Sequence, residues 1–359
     1  IVKNIPFYSF IYLIIKNKFY LYNQLILIIT NPGRGVRLTK VKLIHFVAGA
    51  FLALFPMISQ AAGFGPLIDA QTLETQRASA AVLIIDIRAG QSAKTGLSHF
   101  ESGHIPNAVH APYNLFRGPQ DNPGALVTEA HLTDLFQGLG VTALRPVVIV
   151  HQGRNETDFG AAARVYWTLK SSGVQQLAIL NGGMNAWTSA GLTIETGAGA
   201  AQEASDFTAV FSSEWLATAS DITTALGDGR DIDLIDARPA SFWQGNAKHS
   251  AATRPGTLPQ SRYFVHNSWF NKDEPTLINQ SIVPELAASN GFQQGDNIVS
   301  FCNTGHWAAT NWFALSELAG IEGVKLYPES LVGWSARGGE MENVPGHLRH
   351  LWNTVSGKY

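Results

Sequence analysis

The chain repeats itself, and the repeat restricts the folds open to it more than any other feature. Ala81-Val82-Leu83-Ile84-Ile85-Asp86-Ile87-Arg88 is echoed by Ile232-Asp233-Leu234-Ile235-Asp236-Ala237-Arg238, two short apolar runs that end in Asp-x-Arg. A second apolar run follows in each half, 146–150 before His151-Gln152 and 296–300 before Phe301-Cys302. Gln152 and Cys302 then fall 66 positions beyond Asp86 and Asp236. Each half continues with an amphipathic stretch (161–171 and 308–318) and a glycine where a helix C-cap belongs (Gly173 and Gly320). A short strand comes next (176–180 and 324–327), then a closing motif, Gly182-Gly183-Met184-Asn185-Ala186-Trp187 or Leu331-Val332-Gly333-Trp334. Short apolar strands alternating with helices predict two tandem α/β units, each a mainly parallel sheet flanked by helices.

The units span 62–196 and 207–344. The stretch 196–206, with Gly197-Ala198-Gly199-Ala200-Ala201 at its heart, reads as a linker. The tail 345–359 is expected to pack as a short helix without chemistry. Residues 1–35 differ abruptly in composition from the rest of the chain and read as an upstream extension without a fold. Lys16, Asn17, Lys18, Asn23 and Gln24 leave that extension no uninterrupted membrane-length apolar run. Residues 36–61 have the three parts of a secretory signal peptide: basic Arg37, Lys40 and Lys42, an apolar run 43–58, and the small-residue site Ser59-Gln60-Ala61-Ala62. Export to the periplasm is the expectation.

Charge narrows the function. A formal net charge of -2 argues against nucleic acid as a partner. A single cysteine excludes an intramolecular disulfide and a cysteine-rich zinc site. No metal and no organic cofactor is expected. That cysteine lies in Phe301-Cys302-Asn303-Thr304-Gly305-His306-Trp307-Ala308, between a strand-like and a helix-like run. Backbone N–H groups and the positive end of a helix converge on such a turn, which favours a thiolate nucleophile. A cysteine phosphatase would need an arginine closing Cys-x5-Arg, and position 308 is alanine. A Cys302–His306 hydrolase would lack a third, orienting group.

Asp86-Ile87-Arg88, Phe100-Glu101-Ser102-Gly103-His104-Ile105-Pro106-Asn107-Ala108, the two closing motifs, Asp236-Ala237-Arg238 and the Cys302 loop together resemble the rhodanese family of sulfurtransferases in its tandem form. The resemblance implies two rhodanese-like domains, the first inactive because Gln152 holds the nucleophile's place. It implies a catalytic Cys302 that takes a sulfane sulfur from a donor such as thiosulfate and passes it on through a persulfide. Asn303, Thr304, Gly305, His306, Trp307 and Ala308 would form the anion cradle, and Gly305 would supply backbone freedom. His306 would be a proton shuttle or a protonated counter-ion, and Thr304 a hydroxyl donor to the thiolate. Trp307, Trp243 and Trp269 would wall the pocket, and Asp236 and Arg238 would brace the loop. Arg254, Lys248, His249 and Arg117 are the candidates for positive charge toward an anionic donor. The loop departs from both the thiosulfate and the mercaptopyruvate patterns, Phe242 replaces an arginine usual before the aromatic, and no histidine lies between 115 and 130 near Asn114. Expected partners are a small sulfur-donor anion and a thiol or cyanide acceptor, with no nucleic acid and no stable membrane association. The alternative is a non-turnover periplasmic sulfur carrier or partner-binding protein that uses the same persulfide, including delivery to an acceptor protein.

Overall fold

The computed structural model describes residues 64–79, 82–93, 95–274, 276–357 and 359. The expected extension 1–35 and the expected signal peptide 36–61 lie outside them. The first half runs β1 (Leu67–Ile68), α1 (Ala70–Ser79), β2 (Leu83–Asp86), β3 (Val109–His110), a one-turn helix Tyr113–Phe116, α2 (Glu129–Gly138), β4 (Val147–Val150), α3 (Glu156–Ser171), β5 (Leu177–Leu180) and α4 (Gly183–Ser189). The second runs α5 (Ala219–Gly227), β6 (Asp233–Asp236), α6 (Ala240–Trp243), β7 (Arg262–Tyr263), α7 (Val283–Ser289), β8 (Ile298–Phe301), α8 (Trp307–Phe313), β9 (Lys325–Leu326), α9 (Ser330–Ala336) and α10 (His347–Val355).

Both sheets are parallel, in the orders β1-β5-β4-β2-β3 and β7-β6-β8-β9. A lone parallel bridge between Leu216 and Leu326 stands where β1 stands in the first half. The two halves therefore share one topology. Every residue of β2, β4, β5 and β8 is buried, as continuous apolar runs covered on both faces require.

Strand pairing corrects the alignment of the halves by one residue. Asp86 pairs with Val150, whereas Asp236 pairs with Phe301. The first residue after β4 is His151 and the first after β8 is Cys302, so His151, not Gln152, occupies the nucleophile's place. Gln152 matches Asn303 instead. The equal spacing of 66 hid a one-residue difference in loop length, which only register resolves.

Helix α3 starts five residues before the expected stretch. Asn155 caps it by accepting from the Asp158 N–H at 3.0 Å, with Glu156 and Asp158 in the first turn. Helix α8 ends at Phe313 and widens into a π-turn over Ala314–Leu318. The stretch 196–206 is a strap rather than a free tether, its Gly197, Ala200 and Ser205 amides donating to the Glu101, Ala108 and Gln137 carbonyls. Helix α10 lies against the second half by its polar side. Asn353 is buried, while Leu348, Leu351, Trp352 and Val355 face outward.

One core cluster spans both halves. Phe159 of α3 meets Phe270 and Phe313 edge-on at 5.4 and 5.6 Å, and Tyr166 meets Phe313 at 5.0 Å. Beside them Glu317 accepts from Tyr166 and pairs with Lys170, at 2.8 and 2.9 Å. Small residues in α3 let the helices approach. A Cβ on Gly160 would come within 3.0 Å of His306 Nε2.

Candidate active site

Cys302 is 1 % exposed and sits where β8 gives way to the loop before α8. The loop is held from below by the first turn of α9. Ser330 Oγ accepts from the Cys302 and Gly305 amides at 3.0 and 3.1 Å and donates to the Tyr327 carbonyl. The Leu331 and Val332 amides donate to the Cys302 and Asn303 carbonyls. Ser330 holds the left-handed backbone (φ 50°) that this approach demands. Because the Gly305 amide is committed to Ser330, it is not among the donors free to cradle a bound anion, contrary to the sequence expectation.

Asp236 and Arg238 form a buried pair at the base of the loop. Arg238 Nη2 lies 2.6 Å from Asp236 Oδ2, and Nε bonds both carboxylate oxygens. Thr257 Oγ1 donates to the same carboxylate at 2.8 Å. The same Nη2 also donates to the Gly256 carbonyl at 2.7 Å, and Nη1 reaches Asn303 Oδ1 at 3.2 Å. The first half repeats this device as Asp86–Arg88, with bonds to the Gly103 carbonyl and to Gln152 Oε1. A parallel arrangement in sequence has become a parallel arrangement of bonds.

The roof of the loop comes from the other half. Arg117 Nη2 donates to the Thr304 carbonyl at 2.8 Å, and Arg164 Nη1 to the Gly305 carbonyl at 3.3 Å. Neither guanidinium pairs with a carboxylate among the described residues, and Arg117 Nη1 and Arg164 Nε are buried without a hydrogen-bond partner. Burial, and after it the Arg117 charge, draws the Arg164 pKa down to about 9. Two cations without counter-ions beside a cysteine loop favour an anionic ligand.

His306 takes neither of its expected roles. Its Nε2–H donates to the Thr157 carbonyl at 2.8 Å, so Nδ1 is the acceptor, 2.9 Å from the Tyr113 hydroxyl that donates to it. Burial first, and then the charge of Arg117, pushes its pKa down to about 3. It is a neutral wedge between the halves, neither a counter-ion nor a free shuttle. His151 is likewise depressed, to about 4, chiefly by burial. In the unfolded chain both histidines bind protons below about pH 6.5, so acid favours unfolding. Stability is expected to be complete above that pH and to fall toward pH 4. Each histidine contributes about 3 kcal/mol of the loss by pH 4.5. Urea unfolding at pH 7 and 4.5 measures it, and His306→Gln should remove about half of the difference.

The tryptophans separate. Trp307 stacks on His266 at 5.0 Å, donates to Thr157 Oγ1 and meets Phe242 edge-on at 6.1 Å, so it lies in the loop. Trp243 turns away toward Tyr263, leaving Phe242 as the aromatic beside the loop. Trp269 is core, fully buried and donating to Asn311 Oδ1. Arg254 donates to the Gly339 carbonyl, beyond the far end of α9 from Cys302, and so is not brought to the loop. Lys248 donates to the Ala252 carbonyl. His249 is close enough to Arg117 for that charge, after burial, to depress its pKa. Thr304 and Ala308 are buried in the loop and at the start of α8. Among the described residues no group of three His, Cys, Asp or Glu side chains is placed to hold a metal ion.

Tyr113, Arg164 and Ser330 escaped the sequence reading. Ser330 stands directly before the closing motif, which was a usable signal. Arg164 and Tyr113 lie in the half without the cysteine, and nothing local marks them.

Gly305 has φ 66°, and a Cβ there would run into Arg164 Nη1 and the Pro328 carbonyl. Gly305→Ala is expected to displace the loop and lower turnover about 100-fold, since misplacement near 1 Å costs that much. Steady-state kinetics beside a thermal melt would show the loss of rate to exceed the loss of stability.

The profile described as "Rhodanese-like domain" matches residues 69–190 and 218–337. The chain is 26% identical over 261 residues to the 3-mercaptopyruvate sulfurtransferase of Escherichia coli strain K12, covering 71% of this chain and 90% of that protein. The mouse 3-mercaptopyruvate sulfurtransferase is 27% identical over 281 residues, covering 75% and 90%. The E. coli SseA crystal structure, a 3-mercaptopyruvate sulfotransferase with the rhodanese fold by its description, superposes with a TM-score of 0.62 at 22% identity, over 74% of this chain and 98% of that one. EanB, described with ergothioneine covalently linked with a cysteine persulfide, gives a TM-score of 0.66 at 19% identity, over 78% and 70%. The names of the two curated relatives agree with the enzyme class expected from the sequence, sulfurtransferase.

Proposed function

Because this chain belongs to the rhodanese-like domain family, carrying two copies of that domain, we propose that it transfers sulfane sulfur through a persulfide on Cys302. The observation that carries the reading is the lone cysteine at the end of β8, seated in a braced loop beneath two arginines without counter-ions. The Cys302 thiolate attacks the outer sulfur of a donor anion such as thiosulfate. The S–S bond of the donor breaks, the electron pair leaves with sulfite, and Cys302 holds one extra sulfur. A thiol or cyanide then attacks that sulfur, and the pair returns to Cys302 as thiolate. Arg117 and Arg164 favour the anionic donor and the persulfide anion. Phe242 and Trp307 give the loop an apolar side. The persulfide described for EanB supports the same intermediate on this fold. The proposed compartment is the periplasm, from the segment 36–61.

Intact mass tests the reading. Incubation with thiosulfate, 3-mercaptopyruvate or polysulfide should add one sulfur atom, and cyanide should remove it. No gain with any of the three sinks the persulfide. A stable gain with negligible turnover on cyanide favours the alternative, a sulfur carrier serving a protein acceptor.

A further inference from the structure

The half without the cysteine keeps an equipped cavity at the matching place. It measures about 520 Å³ and opens where β2 and β4 end, walled by Arg88, His151, Gln152, Arg154, Tyr113 and His306. Crevices at the carboxyl ends of parallel strands are where such sheets bind ligands. His151 is 2 % exposed, and neither ring nitrogen makes a well-formed hydrogen bond, the Leu180 backbone offering only a loose one. A buried polar ring without partners is costly unless something else satisfies it. The charged neighbours show what that could be. Asp158 spends both carboxylate oxygens on Arg154, and Asp86 spends its own on Arg88 and the Arg88 amide. Arg88 Nη1, by contrast, has only a long 3.4 Å contact to Gln152. The spare hydrogen-bonding capacity is thus mainly on donors, two guanidinium groups, while the neutral His151 ring offers one N–H beside one acceptor nitrogen. Ile87, Ala89 and Ala161 add an apolar side to the cavity.

We propose that the first half holds a second, non-covalent site, for a small oxyanion, with His151 at its floor and the Tyr113–His306 pair as the wall toward the Cys302 loop. Two sources share that chemistry, a short keto acid and a sulfur oxyanion. Both are by-products of sulfur donors of the kind proposed above, but binding here does not depend on the persulfide.

The test uses the chain from residue 63 onward, the compact unit that contains every described element. Carrying Cys302→Ser to prevent covalent chemistry, it is labelled at histidine and titrated at pH 7 with pyruvate or with sulfite while imidazole resonances are followed. A saturable shift of the His151 resonance with either anion is expected, and the responding anion identifies the source. Arg154→Glu, on a side chain 66% exposed, should weaken binding at least tenfold without unfolding the protein. In the protein with Cys302 intact, the same change should leave thiosulfate-dependent mass gain unaltered. No saturable shift with either anion, or an unchanged midpoint in Arg154→Glu, overturns the proposal. Absence of any mass gain in the protein without substitutions would instead count against the persulfide alone.

Discussion

Replacing Cys302 with serine is expected to lower sulfur transfer by four orders of magnitude or more, to the rate without enzyme. A serine hydroxyl at the end of β8 would keep the loop geometry, since the loop hangs from Ser330, Leu331 and Val332 through backbone groups. It would not carry sulfur, because the intermediate is a bond between two sulfur atoms and the second step needs a thiolate leaving group. Removing the nucleophile of a covalent mechanism costs about 10⁴–10⁶ in rate. The variant should melt within a degree or two of the parent. A residual rate within tenfold of the parent would mean that the chemistry lies elsewhere.

Arg238→Met should give a large loss of stability. Asp236 is wholly buried, and without the guanidinium it keeps only Thr257 Oγ1 and the backbone amide at 238 as donors. Leaving one partner of a buried ion pair uncompensated costs about 3–5 kcal/mol. That is a fall of roughly 10 °C in melting temperature for a protein of this size. The double replacement Asp236→Leu with Arg238→Met should recover much of that loss, since a buried pair is often dispensable once both charges are gone. Activity separates the two halves. Arg238→Met also frees Asn303 and should disturb transfer, while Arg88→Met destabilises comparably and leaves mass gain at Cys302 intact. Equal loss of activity in both variants would contradict the division of roles.

Much of this was legible in the sequence because repeated apolar runs can hardly be anything but buried parallel strands. The Asp-x-Arg ends and the lone cysteine located the loop. Three things were not legible. The one-residue offset that makes His151 the counterpart of Cys302 depends on which residues pair across β2 and β4. The role of His306 depends on Thr157 and Tyr113, 149 and 193 positions away. Arg164 stands in an otherwise unremarkable helix and becomes meaningful only when α3 packs on α8, whereas Arg117, a candidate from the sequence, does reach the loop. Trp269 misled for the opposite reason: a large aromatic near a site in sequence more often fills the core.

The shared seam between α3 and α8 has a consequence for heredity. The half without the cysteine forms the ceiling of the half that has one, through Tyr113, Arg117 and Arg164. Neither half can then be removed without uncovering the other. A substitution in that ceiling can disable the protein as surely as one beside the cysteine.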